Sequence, residues 1–466
     1  MKRVLIGLGA ACVLAVCIVG IVLVVRAQTQ AQAMQQFIAA GPANLAREEA
    51  AARQEGIPLS AAQLQKPLPP PSQNAAPLYV TLTKLLHDKP LGLPKYAEGM
   101  DAFHTYTPEQ IAAVRRTLAA RQDVMTLVHQ AADRPRCVFV RDWSQGIALE
   151  FPEYQHQREA ARLLRTESYL LARDGRYQEA VANQARGFRV ADQAAADHTL
   201  ISYLVGIASQ ASAFGGMQGI LAQAGPNAAV DANIKKTVAA AYMRLSLRSA
   251  IVGDTGLGCA SLAKVHQYEK YGIEVALKTG FPDDDAHQSR PLPTSQVSTA
   301  ERERLHNLID AWQADYLSEM LPLIRASDAP RVARSAVFAA TYKPRNKEAD
   351  STAPLTDPMH WVPRLLVPNL SNIDQNDTRI SAREAVTLAA SAILTQKAEA
   401  GAYPDNLPPG FTDPFTDKPL GYRREGGGFV VYSAGPTGHF DGGKPGQKTP
   451  GQESLFRYPV IPVPPN

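Results

Sequence analysis

Three sets of residues in this 466-residue chain have types and spacing suited to chemistry. Asp413, Asp417 and Asp441 fall in the Gly- and Pro-rich stretch Ala400 to Gly443. All three are carboxylate oxygen donors, and on their own residue context they cap turns, as Asp-Pro and Asp-Gly pairs commonly do. Cys137 and Cys259 are the cysteines outside the N-terminal apolar run. In an oxidising compartment they either pair, closing a long loop, or stay as two separate buried thiols. Asp254, in Asp254-Thr255-Gly256, and His360, beside Asp357, Trp361 and Arg364, are the carboxylate and imidazole that a hydrolase would use. Acid chemistry with a shared proton needs two such carboxylates, and the chain has one Asp-Thr-Gly. Gly253, Gly256 and Gly258 are expected to make that segment a flexible loop. No His-Glu-x-x-His, Gly-x-Ser-x-Gly or phosphate-loop motif occurs. The expectation is therefore a protein without catalytic residues or cofactor, with a hydrolase as an alternative.

These residues need elements to hold them, and the first element sets location. Lys2 and Arg3 precede an uncharged run from Val4 to Val25 that Arg26 closes. At 1.5 Å per residue, a helix over this run covers a hydrocarbon core of about 30 Å. Residues 1–26 are expected to be an uncleaved transmembrane anchor, although Ala31-Gln32-Ala33 offers a cleavage site. The basic N-terminus places the tail inside and the rest outside. Residues 27–73, rich in Gln and Ala and ending in Pro67, Pro69, Pro70 and Pro71, read as a stalk and stiff spacer.

Residues 74–375 carry helical periodicity. Thr107-Pro108-Glu109-Gln110 starts a helix over 107–131, and Ser298-Thr299-Ala300-Glu301 starts another. Ala160, Leu163, Leu164 and Leu171 face one way before Asp174-Gly175, and Tyr177, Val181 and Phe188 line the helix that returns. One helix is expected over 231–249. Thr199 to Val230 has no charge, but Ser202, Gly206, Ser209, Gln210 and Gln218 interrupt it, so it reads as a core helix and not a second span. A last helix, about Asp377 to Ala400, leads into a hairpin of 420–423 and 429–433. It forms with that hairpin a module over 376–443, and 444–466 is an extended or disordered tail. The fold class is mainly α: a transmembrane helix, a helical hairpin or bundle ectodomain and a small C-terminal α+β module. The net charge of +4, with no long basic run, gives no nucleic-acid partner.

Some segments resemble known families. Asp254-Thr255-Gly256 looks like an aspartic-protease loop, present once. Gly175 to Ala180 is similar to a tetratricopeptide turn, but Ser209, Ala211 and Phe214 stand where Gly, Tyr and Ala would recur, so it implies a helical pair and no solenoid. Gly401-Ala-Tyr-Pro-Asp-Asn-Leu, Asp413-Pro-Phe-Thr-Asp-Lys-Pro-Leu-Gly-Tyr and Gly427-Gly-Phe-Val-Val-Tyr-Ser-Ala-Gly-Pro resemble the C-terminal part of the major pseudopilins of type II secretion. With Asn74 to Tyr79 and Leu200 to Ala208, the whole resembles membrane-anchored bacterial proteins that join a helical ectodomain to this ending. The resemblance implies a single-pass inner-membrane protein with a periplasmic ectodomain, and envelope or secretion proteins as partners. It also implies calcium near the C-terminus, with Thr437 where an Asp is expected and Asp413, Asp417 and Asp441 left as its oxygen ligands, backbone carbonyls and water completing the six or more it takes. The function expected is a non-enzymatic binding or scaffolding module of the envelope, with a secretion accessory and an envelope hydrolase as alternatives.

Overall fold

The computed structural model describes residues 2–101, 104–266, 298–342, 359–440, 442 and 455–459, with the backbone alone for 2–27. Helix α1 (Lys2–Gln54) runs without a break through the expected end of the anchor. No stalk follows residue 26 as a separate element. Past residue 27 the helix packs into the body, with Ile38 and Ala52 buried and Met34, Phe37, Leu45 and Ala51 partly so. Met34, Ile38, Leu45 and Ala52 are spaced by four and then seven residues, whole turns of the helix, which is what puts them on one helical face. Just beyond the helix end, the Glu55 carboxylate accepts from Arg325 (2.8 Å) and Arg248 (2.6 Å). Those two guanidiniums hold its pKa below the usual carboxylate range. The boundary expected between anchor and stalk, at residues 26 and 27, thus falls inside one helix, because the helix continues past the membrane-like run and packs on the body.

Helices α2 (Ala61–Leu64), α3 (Ala76–Asp88), α4 (Pro108–Ala120) and α5 (Gln122–Ala132) follow. The Thr107–Gln110 capping box starts α4 as the spacing predicts. The single helix expected over 107–131 breaks at Arg121, whose buried guanidinium donates to the carbonyls of Lys89 (2.7 Å) and Pro90 (2.9 Å). Asn74 is a clamp. Its Oδ1 accepts from the N–H groups of Ala76 and Val138, and its amide donates to the Val138 carbonyl. Helices α6 (Glu153–Arg173), α7 (Tyr177–Ala194) and α8 (Leu200–Ala224) then pack on one another. By length and composition α8 is the helix among those searched that is apolar enough to cross a membrane, yet 78% of that window is buried inside the protein. It is the core helix that its interrupting polar residues indicate.

Helix α9 (Ala228–Ala241) ends before 249, and a separate α10 (Leu247–Val265) contains Gly253, Gly256 and Gly258. The flexible loop expected there is a helix. Its glycines serve packing: a Cβ at Gly258 would come within 2.3 Å of the Tyr316 hydroxyl. Helix α11 (Thr299–Ala326), opened by the Ser298–Glu301 capping box, lies against α1 and α10. Helices α12 (Arg331–Tyr342) and α13 (Trp361–Leu366) precede α14 (Leu370–Ala400). Asn369 caps α14, which therefore starts seven residues before the expected Asp377.

The hairpin forms with β1 (Gly421–Glu425) and β2 (Gly428–Tyr432), Glu425 pairing Gly428 around Gly426-Gly427. The tail is not wholly extended coil. Its residues Leu455–Tyr458 form β3, antiparallel to β2, so the sheet order is β1-β2-β3. Every residue of the central strand is buried, with Phe429 and Phe456 joining the main core beside α14. Cys137 and Cys259 are free thiols, not a disulfide. Cys137 lies in a smaller apolar cluster with α3, α4 and α5, and Cys259 in the larger one with α8 and α11, so each sulfur is enclosed by its own core. Burial pushes the Cys259 thiol up to about 12.

Candidate functional site

The residues singled out by sequence do not converge. Asp413 is fully buried, and its carboxylate accepts from the Phe415 N–H (3.0 Å), the Ser433 hydroxyl (2.8 Å) and the Ala434 N–H (2.7 Å). A cation there would have to displace these three donors. Asp417 sits in the left-handed region with φ 58 and donates its N–H to the Asp413 carbonyl at 2.9 Å, closing the turn. Asp441 lies outside the described residues, as does Asp357. Among the described residues, no group of three or more His, Cys, Asp and Glu is placed to hold a metal. Asp254 is on α10, and its Oδ1 accepts from the Leu200 N–H (3.2 Å) at the start of α8. It serves a helix N-terminus there, and burial pushes its pKa up to about 6. His360 Nδ1 pairs with Asp315 at 2.9 Å, and its ring meets Phe37 of α1 edge-on.

A concave site lies instead along the outer face of α6 and α8. Tyr154, Gln155 and Arg158 of α6 line a hollow of about 600 Å³ with Ile201, Leu204, Val205 and Ala208 of α8 and Phe151 before α6. Arg158, Arg162 and Arg165 line the next, of about 400 Å³, with Ala208, Ala211 and Ser212 of α8 and Arg383 of α14. The two helices therefore run in the same direction, and the hollows join end to end through Arg158 and Ala208. One end is apolar, with Ile201 49% exposed. The other is lined by Lys95, Arg158, Arg162, Arg165 and Arg383 against a single carboxylate, Glu98. A third hollow of about 440 Å³ opens from Arg158 and Arg162 toward Leu91 and His156, with Glu98 and Glu159 also lining it.

Each wall is held from behind. The Arg141 guanidinium, 5% exposed, donates to Asp197 (2.8 Å) and pairs with Glu153 at 3.4 Å. It also lies over the rings of Phe139 (4.4 Å), Phe151 (4.7 Å) and Tyr154 (5.4 Å). Tyr154 donates to Asp197 at 2.7 Å and stacks on Phe151, their ring centroids 4.8 Å apart. This cation–π and ion-pair arrangement fixes the aromatic wall in one geometry. At the other end, Arg165 pairs with Asp101 at 2.5 Å, and Gly215 leaves it room: a Cβ there would stand 3.0 Å from its Cζ. Arg162 faces Glu98 loosely, at 3.6 Å. Arg158 is exposed, with no ion-pair partner among the described residues.

An imidazole also stands beside the groove. His156 and Glu159 pair at 3.2 Å beside it, but the other imidazole nitrogen is against the Gln155 amide at 2.9 Å. Sequence reading identified the apolar face of α6 and passed over its opposite stripe, Arg158, Arg162 and Arg165, whose spacing of four and three residues places them together. No protein-family profile, curated protein or solved structure matches the chain.

One buried group gives the stability a pH dependence. Asp231 is wholly buried, its Oδ1 has no hydrogen-bond partner, and Thr395 reaches its Oδ2 at 3.4 Å. Burial pushes its pKa up to about 7, with Thr395 and Lys235 opposing. A carboxyl raised in the folded state stabilises in its protonated form, and that contribution is lost as pH rises through the folded pKa. Asp231→Asn, which mimics the neutral acid, is expected to gain on the parent protein between about pH 4 and about pH 7 and level off above. Melting temperatures across that range check it, and a pH-independent difference would sink the assignment.

Proposed function

We propose that this chain is a membrane-anchored envelope protein, spanning the inner membrane through residues 4–25, whose helical ectodomain is a non-enzymatic binding module. The observation that carries the binding part is the groove between α6 and α8. It is open, apolar at one end and cationic at the other, and its walls are locked by Arg141 and by the Arg165–Asp101 pair before any ligand arrives. Such preorganisation lowers the ordering cost of binding. The uncharged run 4–25 supports the anchor, and the pseudopilin-like ending supports an envelope setting.

The experiment uses the full chain in cells, with a photo-crosslinking amino acid in place of Ile201 and, separately, of the exposed Val332 on α12. A specific adduct at 201 and none at 332 is expected, in a membrane fraction that resists salt extraction. A chain that washes off the membrane refutes the anchor, and absence of any adduct at 201 refutes the binding face.

A further inference from the structure

Resting on that reading, we infer that the groove takes a single-chain acyl amphiphile with an oxyanion head, its chain between α6 and α8 and its head among Arg158, Arg162 and Arg383. The polarity of the groove carries the argument. From Tyr154 to Arg165 on α6, and from Ile201 to Ser212 on α8, the walls run for about 16 Å along parallel helices. Along that length the lining changes from Phe151, Ile201, Leu204 and Val205, with the exposed Glu150 and Gln155 beside them, to four arginines and Lys95. A globular ligand would not need this order. An elongated ligand, apolar at one end and anionic at the other, matches both ends in one orientation.

The charge for such a head comes first from Arg158 and Arg162, since Arg383 also donates to the Ala211 carbonyl at 3.2 Å. Arg165 is already matched by Asp101, and Arg162 is only loosely matched by Glu98, at 3.6 Å. Arg158 has no ion-pair partner among the described residues and lines all three hollows, so it stands where chain meets head. Guanidinium groups suit carboxylate and phosphate heads alike, through paired N–H donors. Ala208 occupies the junction on α8, exposed and small, and leaves the passage between the two hollows open.

The test uses the full-length protein in nanodiscs with a photoreactive diazirine analogue of palmitate and, in parallel, the corresponding photoreactive alcohol. Adducts are mapped by mass spectrometry. The palmitate probe is expected to label the peptides bearing Phe151 to Arg158 and Ile201 to Ala208 about tenfold more than the alcohol does, the factor a charge-assisted contact commonly supplies. Arg158→Glu should remove that preference. Ala208→Trp should abolish groove labelling by both probes, with the helical circular-dichroism spectrum and melting temperature unchanged. Unlabelled palmitate and lysophosphatidate serve as competitors, and whichever displaces the probe identifies the head group. Equal labelling by acid and alcohol, labelling confined to residues 2–27, or groove labelling that neither competitor displaces would overturn the proposal. A protein adduct at Ile201 in cells, together with no acyl labelling of the purified chain, would refute the amphiphile and leave the binding module standing.

Discussion

Replacing Asp377 by alanine is expected to destabilise the fold by about 3–5 kcal/mol, the usual cost of removing one partner from a buried charge network. Asp377 lies one turn beyond Asp374 on α14, and both are buried. The Tyr203 hydroxyl of α8 donates to Asp377 at 2.6 Å, Arg244 from the α9–α10 connection at 2.9 Å, and Arg334 of α12 at 3.1 Å. Arg334, itself buried, also donates to Asp374 at 2.6 Å, and Ser335 donates to the same carboxylate. Four segments meet at this carboxylate, and alanine would leave the Tyr203 hydroxyl buried without its acceptor. Asp377→Asn keeps an acceptor for Tyr203 and should cost less than alanine. Denaturant midpoints of the two variants check the order. A loss below about 1 kcal/mol for alanine would show that the network is not under load.

Asp413→Ala is expected to open the C-terminal module while most of the helical body persists. Two backbone N–H groups and a hydroxyl lose a shared acceptor in a fully buried site. At about 1–3 kcal/mol for each buried donor left unmade, the loss exceeds what one turn can absorb. Limited proteolysis should cut between Leu407 and Phe440 in the variant and not in the parent, with the far-UV helical signal nearly unchanged. Resistance equal to the parent would refute this role. Because Val386, Ile393 and Leu394 of α14 are wholly buried in the main core, deleting everything past Asp377 would unfold the body. A secretion defect in that truncation would therefore say nothing about secretion, and Asp413→Ala is the cleaner probe of the module.

Helix starts were legible because caps are local: Thr107 with Gln110 and Ser298 with Glu301 bond as their spacing indicates. The hairpin was legible for the same reason, with three consecutive glycines between alternating residues. What failed depends on distant partners. Glycines in α10 signal a loop in isolation, and only the neighbours at Gly253, Gly256 and Gly258, which are His198, Pro58 and Tyr316, show why a helix keeps them. Strand β3 is four residues within a Pro-rich tail, and its edge pairing with β2 supplies an order that its own sequence does not. The candidate site was the least legible part. Arginines spaced along a solvent-facing helix read as an ordinary polar face until α8, α14 and the loop with Lys95 are brought round to close the trough.

The unbroken course of α1 also sets reach. On the membrane reading, the span ends at Arg26, and Met34 is already in contact with the core. Eight helical residues measure about 12 Å. A proline-ended stalk over 27–73 would have let the ectodomain swing and search far from the bilayer. On the same reading, a helical post of this height would hold the body close over the lipid headgroups, and whatever occupies the groove would meet it near the membrane surface.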